Sequence, residues 1–130
     1  MAQTGRPLSP HLQVYKWQVQ MVTSILHRAS GIILAVGSLL IVWGLASLAA
    51  GPEAYASFTA CAGSALGMLV LIGWTLAFFY HLANGIRHLV QDTGKGYAIA
   101  TFVRSSWTSI VVAIVLTIAV WAYVLSGGHA

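Results

Sequence analysis

Residues 32–52, Ile32-Ile-Leu-Ala-Val-Gly-Ser-Leu-Leu-Ile-Val-Trp-Gly-Leu-Ala-Ser-Leu-Ala-Ala-Gly-Pro52, contain no aspartate, glutamate, lysine or arginine. A helix needs about 20 such residues to cross the ~30 Å hydrocarbon layer of a bilayer. Ala54–Ile86 and Ser105–Ala130 are free of those charges as well. Of the 130 residues only 6% are charged and 58% are hydrophobic, whereas a water-soluble domain carries about 25% charged residues. So little charge cannot cover a soluble surface. The pattern predicts an all-α membrane protein with three transmembrane helices, over about 20–50, 58–91 and 104–125, in a single transmembrane domain spanning 1–130.

The formal net charge is +4, and its placement carries more information than its size. Arg6, Lys16, Arg28, Arg87, Lys95 and Arg104 lie in the N-terminal segment, at the end of the second apolar stretch or at the start of the third. The first loop, Gly51-Pro52-Glu53, and the C-terminal Ser126-Gly-Gly-His-Ala have no basic residue. By the positive-inside rule the N-terminus and the second loop are cytoplasmic, or face the matrix in a mitochondrion. Basic residues spread along one membrane face do not form a nucleic-acid footprint. The first apolar run begins only after Arg28, too late for a signal peptide. The lone Cys61 cannot pair within the chain and reads as a small core residue.

Pro7 and Pro10 predict an extended start. His11, Tyr15, Lys16 and Trp17 suit a membrane interface, as do Trp107, Trp121 and Tyr123 near the ends of the third helix. Gly51-Pro52 ends the first helix. The second is expected as one long helix from about Ala54 or Phe58 to Gln91, followed by the turn Asp92-Thr-Gly-Lys-Gly. Within it, Gly63-Ser-Ala-Leu-Gly67 has the spacing of a close helix–helix contact.

Ionisable side chains inside an apolar span are costly and point to function. His81 stands eleven residues before Asp92, roughly 16 Å along a helix and so near mid-membrane. Gly85 and His88 share its face, and a glycine beside a histidine leaves a notch for a flat ring. Axial histidine ligation is a common way to hold haem iron. A histidine bonded only to a neighbouring helix fits the same spacing. Arg87 and His88 near the interface suit haem propionates or snorkelling to headgroups.

On the first helix Ser24, His27, Arg28 and Gly31 recur at helical spacing. A hydroxyl and a guanidinium one turn apart at the membrane edge suit a quinone head group, and equally a simple basic anchor. The chain has no HExxH, CxxC, P-loop or nucleophile elbow. One cysteine cannot ligate an iron–sulfur cluster. Redox chemistry therefore requires partner subunits.

Two motifs, Arg6-Pro7-Leu8-Ser-Pro-His-Leu12 with Ser24-Ile-Leu-His27-Arg28-Ala-Ser30-Gly31, and His81-Leu-Ala-Asn-Gly85-Ile-Arg87-His88-Leu-Val-Gln-Asp92-Thr-Gly94-Lys95-Gly96, resemble the cytochrome b large membrane-anchor subunits of succinate dehydrogenase (respiratory complex II). The resemblance covers essentially the whole chain. It implies that His81 is an axial ligand of haem b, with the opposite histidine supplied by a second, smaller anchor subunit. It implies that Ser24 and Arg28 line the ubiquinone head-group pocket, and that His27, Arg28 and His88 lie toward the haem propionates or haem edge. Gln91 departs from the aromatic or methionine common there. A flavoprotein and an iron–sulfur subunit are the implied soluble partners, and the bacterial inner membrane the implied location in preference to the mitochondrial one. A fumarate reductase anchor and a structural anchor without haem are the alternatives. A transporter would need acidic residues within its spans, and these have none.

Overall fold

The computed structural model describes Gly5, His11 and residues 15–127. Arg6–Pro10 and Leu12, with the extended start expected there, lie outside the described residues, as does the end of the C-terminal tail.

Four helices follow one another: α1 (Val19–Ala50), α2 (Pro52–Ala62), α3 (Ala65–Asp92) and α4 (Ile99–Leu125). The long ones, α1, α3 and α4, are apolar enough to cross a membrane. At 1.5 Å per residue even 27-residue α4 is about 40 Å long, so each span tilts or emerges from the hydrocarbon. α3 is the hub, packing against α4, α1 and α2.

The expected single helix over 58–91 is two helices. α2 starts where Gly51 adopts a positive φ of 121° and Pro52 takes the first helical position, a place where its missing N–H costs nothing. It ends at Gly63, and Ser64 restarts the chain as an N-cap, its Oγ accepting from the Gly67 amide at 3.1 Å. A Cβ on Gly67 would collide with the Cys61 and Ala62 carbonyls. The glycine pair therefore serves this corner, not a contact between two spanning helices. Cys61, expected in the core, is exposed at the end of α2. The last helix begins at Ile99, a turn earlier than expected.

The bundle is inverted relative to a soluble protein. Large aliphatic residues such as Ile32, Val36, Leu39, Leu66 and Ile118 face outward, where lipid tails receive them. The buried positions are small or polar: Thr23, Ser30, Ala77, Asn84, Ser106, Ser109 and Ala113 among them. Lipid is as apolar as leucine, so close packing and interhelical hydrogen bonds hold such helices together. The hydroxyls of Ser106, Ser109 and Thr117 bond back to carbonyls of their own helix, so their burial leaves no polar group unpaired.

α1 meets its neighbours through three glycines, each receiving a ring. The Trp74 indole fills the notch at Gly37, the Phe58 ring sits at Gly44, and His81 Cε1 lies 3.1 Å from where a Cβ of Gly31 would stand. A further tie is the buried Tyr80, whose hydroxyl donates to the Thr23 carbonyl across the α1–α3 contact at 2.7 Å.

Candidate functional site

Three imidazoles converge between α1 and α3. His27 and His81 stack face to face, centroids 4.0 Å apart and planes 8° from parallel. His88, two turns along α3 from His81, tilts over His27 at 5.1 Å. Close ring approach to α1 depends on Gly31, where a Cβ would stand 3.1 Å from His81 Cε1, whereas a Cβ on Gly85 would make only ordinary contact, 3.7 Å from His27 Cε1. The notch that the sequence offers to a porphyrin is thus lined by His27.

The two nitrogens of His81 have different surroundings. Nδ1 lies 3.1 Å from the His27 carbonyl oxygen and 3.1 Å from Ser30 Oγ. Nε2 has no hydrogen bond among the described residues and is not sealed inside the protein. One nitrogen held by a backbone carbonyl and the other left open is the usual condition of a metal-ligating histidine. Among the described residues no three histidine, cysteine, aspartate or glutamate side chains are disposed to hold an ion. The imidazole cluster is therefore no chelate for a bare metal. A haem, whose porphyrin already supplies the equatorial nitrogens, asks only for an axial one, and His81 fits that need.

By helical spacing Ser24 stands within about 20° of Gly31 around α1. Arg28 follows His27 by one residue and so points about 100° away around the helix. Ser24 is half-buried and Arg28 exposed. Neither has a hydrogen bond or ion pair among the described residues, and no polar contact joins them to the imidazoles. Of the expected common face of Ser24, His27, Arg28 and Gly31, His27 and Gly31 meet the His81 ring, and Ser24 and Arg28 continue the same side of α1 as a polar flank.

Arg87 does not snorkel to the headgroups. Only 8% exposed, it turns into the α3–α4 contact. There Nη1 donates to Asn84 Oδ1 and Nε to Ser105 Oγ, each at 3.0 Å. Its guanidinium also lies 4.3 Å from the Phe102 ring centre. Thr23 belongs to the polar set at the start of α1 and Ser30 and Asn84 to the two motifs, but the sequence assigns none of them a role. The signal for Ser30 was its place one turn beyond His27, on the side of α1 that carries Thr23.

The fold and site define a class: a helical membrane protein with three spanning helices that engages one nitrogen of a histidine within the chain and leaves the other without a partner among the described residues. A family model described as the succinate dehydrogenase/fumarate reductase transmembrane subunit matches residues 2–120. The succinate dehydrogenase cytochrome b556 subunit of Paracoccus denitrificans is 41% identical over 114 residues, covering 88% of each chain. That of Rickettsia felis is 38% identical over 116 residues, covering 89% of this chain and 90% of its own. The mitochondrial cytochrome b560 subunit of Mus musculus is 39% identical over 117 residues, covering 88% of this chain and 67% of its own. The chain belongs to the succinate dehydrogenase/fumarate reductase transmembrane-subunit family. It is a cytochrome b-type membrane subunit of an oxidoreductase complex, and with bacterial relatives and three spanning helices it is a multi-pass protein of a bacterial membrane.

Proposed function

We propose that this chain is the large anchor of a succinate:quinone oxidoreductase, holding haem b jointly with a smaller anchor subunit and forming part of the ubiquinone site. The arrangement at His81 carries the reading: Nδ1 is engaged within the chain while Nε2 is neither sealed in nor bonded among the described residues. A bound haem b would supply one-electron redox chemistry. His81, through Nε2, would be this chain's ligand to the haem, with a histidine of the small anchor as the other. His27, Arg28 and His88 are the groups available to the propionates.

Ser24 and Arg28 take the ubiquinone head group. Ser24 donates its hydroxyl proton toward a quinone oxygen. Arg28 stabilises the negative charge that the head group gains on reduction, because a fixed cation at low dielectric favours charge as it develops. Both groups lack a competing protein partner among the described residues. The N-terminus and the α3–α4 loop are cytoplasmic, where the basic residues collect. There the chain docks the iron–sulfur subunit and, through it, the flavoprotein. The relatives' names favour succinate oxidation over fumarate reduction.

The test is a reduced-minus-oxidised spectrum of the purified complex. His81→Leu is expected to abolish the b-type band while succinate oxidation with a soluble acceptor persists. A band that survives this substitution overturns the haem assignment, and a wild-type complex with no band makes the chain a structural anchor.

A further inference from the structure

We propose that Ser30 is a positioning residue that fixes which nitrogen of His81 is free to ligate, and that Gly31 sets where the ring stands. The proposal rests on the haem reading above and adds to it the group that selects the tautomer.

A neutral imidazole has one N–H and one bare lone pair, and nothing intrinsic assigns them. Here the surroundings do. The Ser30 hydroxyl donates to the His27 carbonyl at 2.9 Å. A hydroxyl has one proton, so what Ser30 Oγ turns toward His81 Nδ1, 3.1 Å away, is a lone pair. The His27 carbonyl, also 3.1 Å from Nδ1, can only accept. Two acceptors about one ring nitrogen demand a proton on it. Nδ1 is therefore the donor, and Nε2, which no described residue engages, keeps the lone pair. Ser30 is 4% exposed, so water does not compete for this arrangement.

Gly31 and His27 fix the rest of the geometry. The parallel His27 ring sets the plane of His81. The missing Cβ of Gly31 lets the Cε1 edge approach α1, since that atom would stand only 3.1 Å away. Plane, edge and tautomer are thus set by contacts from His27, Ser30 and Gly31, little more than one turn of one helix. An Nδ1–H held by acceptors makes the opposite nitrogen more electron-rich, which favours the oxidised over the reduced metal.

The experiment uses the assembled complex in detergent, with succinate oxidation by a soluble acceptor as the integrity control. In Ser30→Ala the b-type band is expected to persist with its midpoint potential raised. The shift corresponds to a several-fold change in the oxidised-to-reduced ratio, a tenfold change being 59 mV for one electron. Haem loss to an apoprotein acceptor is expected to quicken about tenfold, the scale of outer-shell substitutions. An unchanged potential together with unchanged haem retention overturns the proposal. His81→Leu separates the two levels: a band that survives it sinks the haem reading itself, whereas a band lost in His81→Leu but unmoved in Ser30→Ala sinks only the role of Ser30. Where Ser30→Ala fails to assemble, Gly31→Ala carries the test through the low-spin electron paramagnetic resonance signal, which reports axial ring orientation. A displaced signal is expected, and an unmoved one overturns the proposal.

Discussion

The Trp74 indole occupies the space that any side chain at Gly37 would need. Its Nε1 is buried there without a hydrogen-bond partner among the described residues, so shape, not polarity, holds the ring in place. The α1–α3 register that stacks His27 on His81 and joins Tyr80 to Thr23 runs through this contact one helical stretch away.

Gly37→Ala should therefore cost about 1–3 kcal/mol, the usual range for overpacking a close contact. In a Trp74→Ala background the same substitution should cost close to nothing. A double-mutant cycle on thermal unfolding of the detergent-solubilised complex measures the coupling. Additive effects of the two substitutions would show that the notch does not set the packing.

Tyr80→Phe removes the hydroxyl that donates to the Thr23 carbonyl and leaves the ring. A net loss of about 1 kcal/mol is expected, with the b-type band retained. Amide hydrogen exchange should quicken in α1 around Thr23 and in α3 around Tyr80, and not in α4.

At Arg87 geometry should outrank charge. The guanidinium holds Asn84 and Ser105 and lies against Phe102 at once, a set of contacts no ammonium reproduces. Arg87→Lys keeps a charge at a buried intramembrane site but drops the fork, whereas Arg87→Gln keeps one hydrogen bond and sheds the charge. The lysine variant is expected to be the less stable of the two by about 1–2 kcal/mol. The opposite order in thermal unfolding would mean that charge is what the site requires.

Arg28→Leu should lower quinone reductase activity by at least tenfold, the scale of about 1.4 kcal/mol lost from the stabilisation of developing charge. Succinate oxidation with a soluble acceptor should stay near wild type. Parallel loss of both activities would indicate failed assembly and not a damaged quinone site.

The number of spans and the presence of a histidine site were legible in the sequence because membrane insertion punishes charge, and charge can be counted residue by residue. α1 was expected to end at Ala50 and does. The corner at Gly63–Ser64 was hidden because glycine and serine in an apolar run serve equally as packing surface and as helix stop; Ser64 declares itself only once its hydroxyl is seen on the Gly67 amide. α4 starts before Arg104 because charge marks the limit of the hydrocarbon and not of the helix. The convergence of His27, His81 and His88 depends on how α1 is rotated about its axis. In lipid that rotation leaves little trace in a polar–apolar pattern: it is set by which glycine receives which ring. For the same reason Arg87 was read as interfacial, although its length and the Asn84 and Ser105 acceptors let it turn inward.

The serine- and alanine-lined interior has a practical consequence for any mutational survey of this chain. Exchanging one bulky aliphatic for another at Ile32, Leu39 or Leu66 should pass unnoticed, since fluid acyl chains accommodate either shape. A single extra methyl group at Ser106 or Ala113, among the most enclosed positions, should force neighbouring spans apart. Tolerance maps drawn up for water-soluble enzymes, in which large apolar residues are the guarded ones, would need to be read upside down.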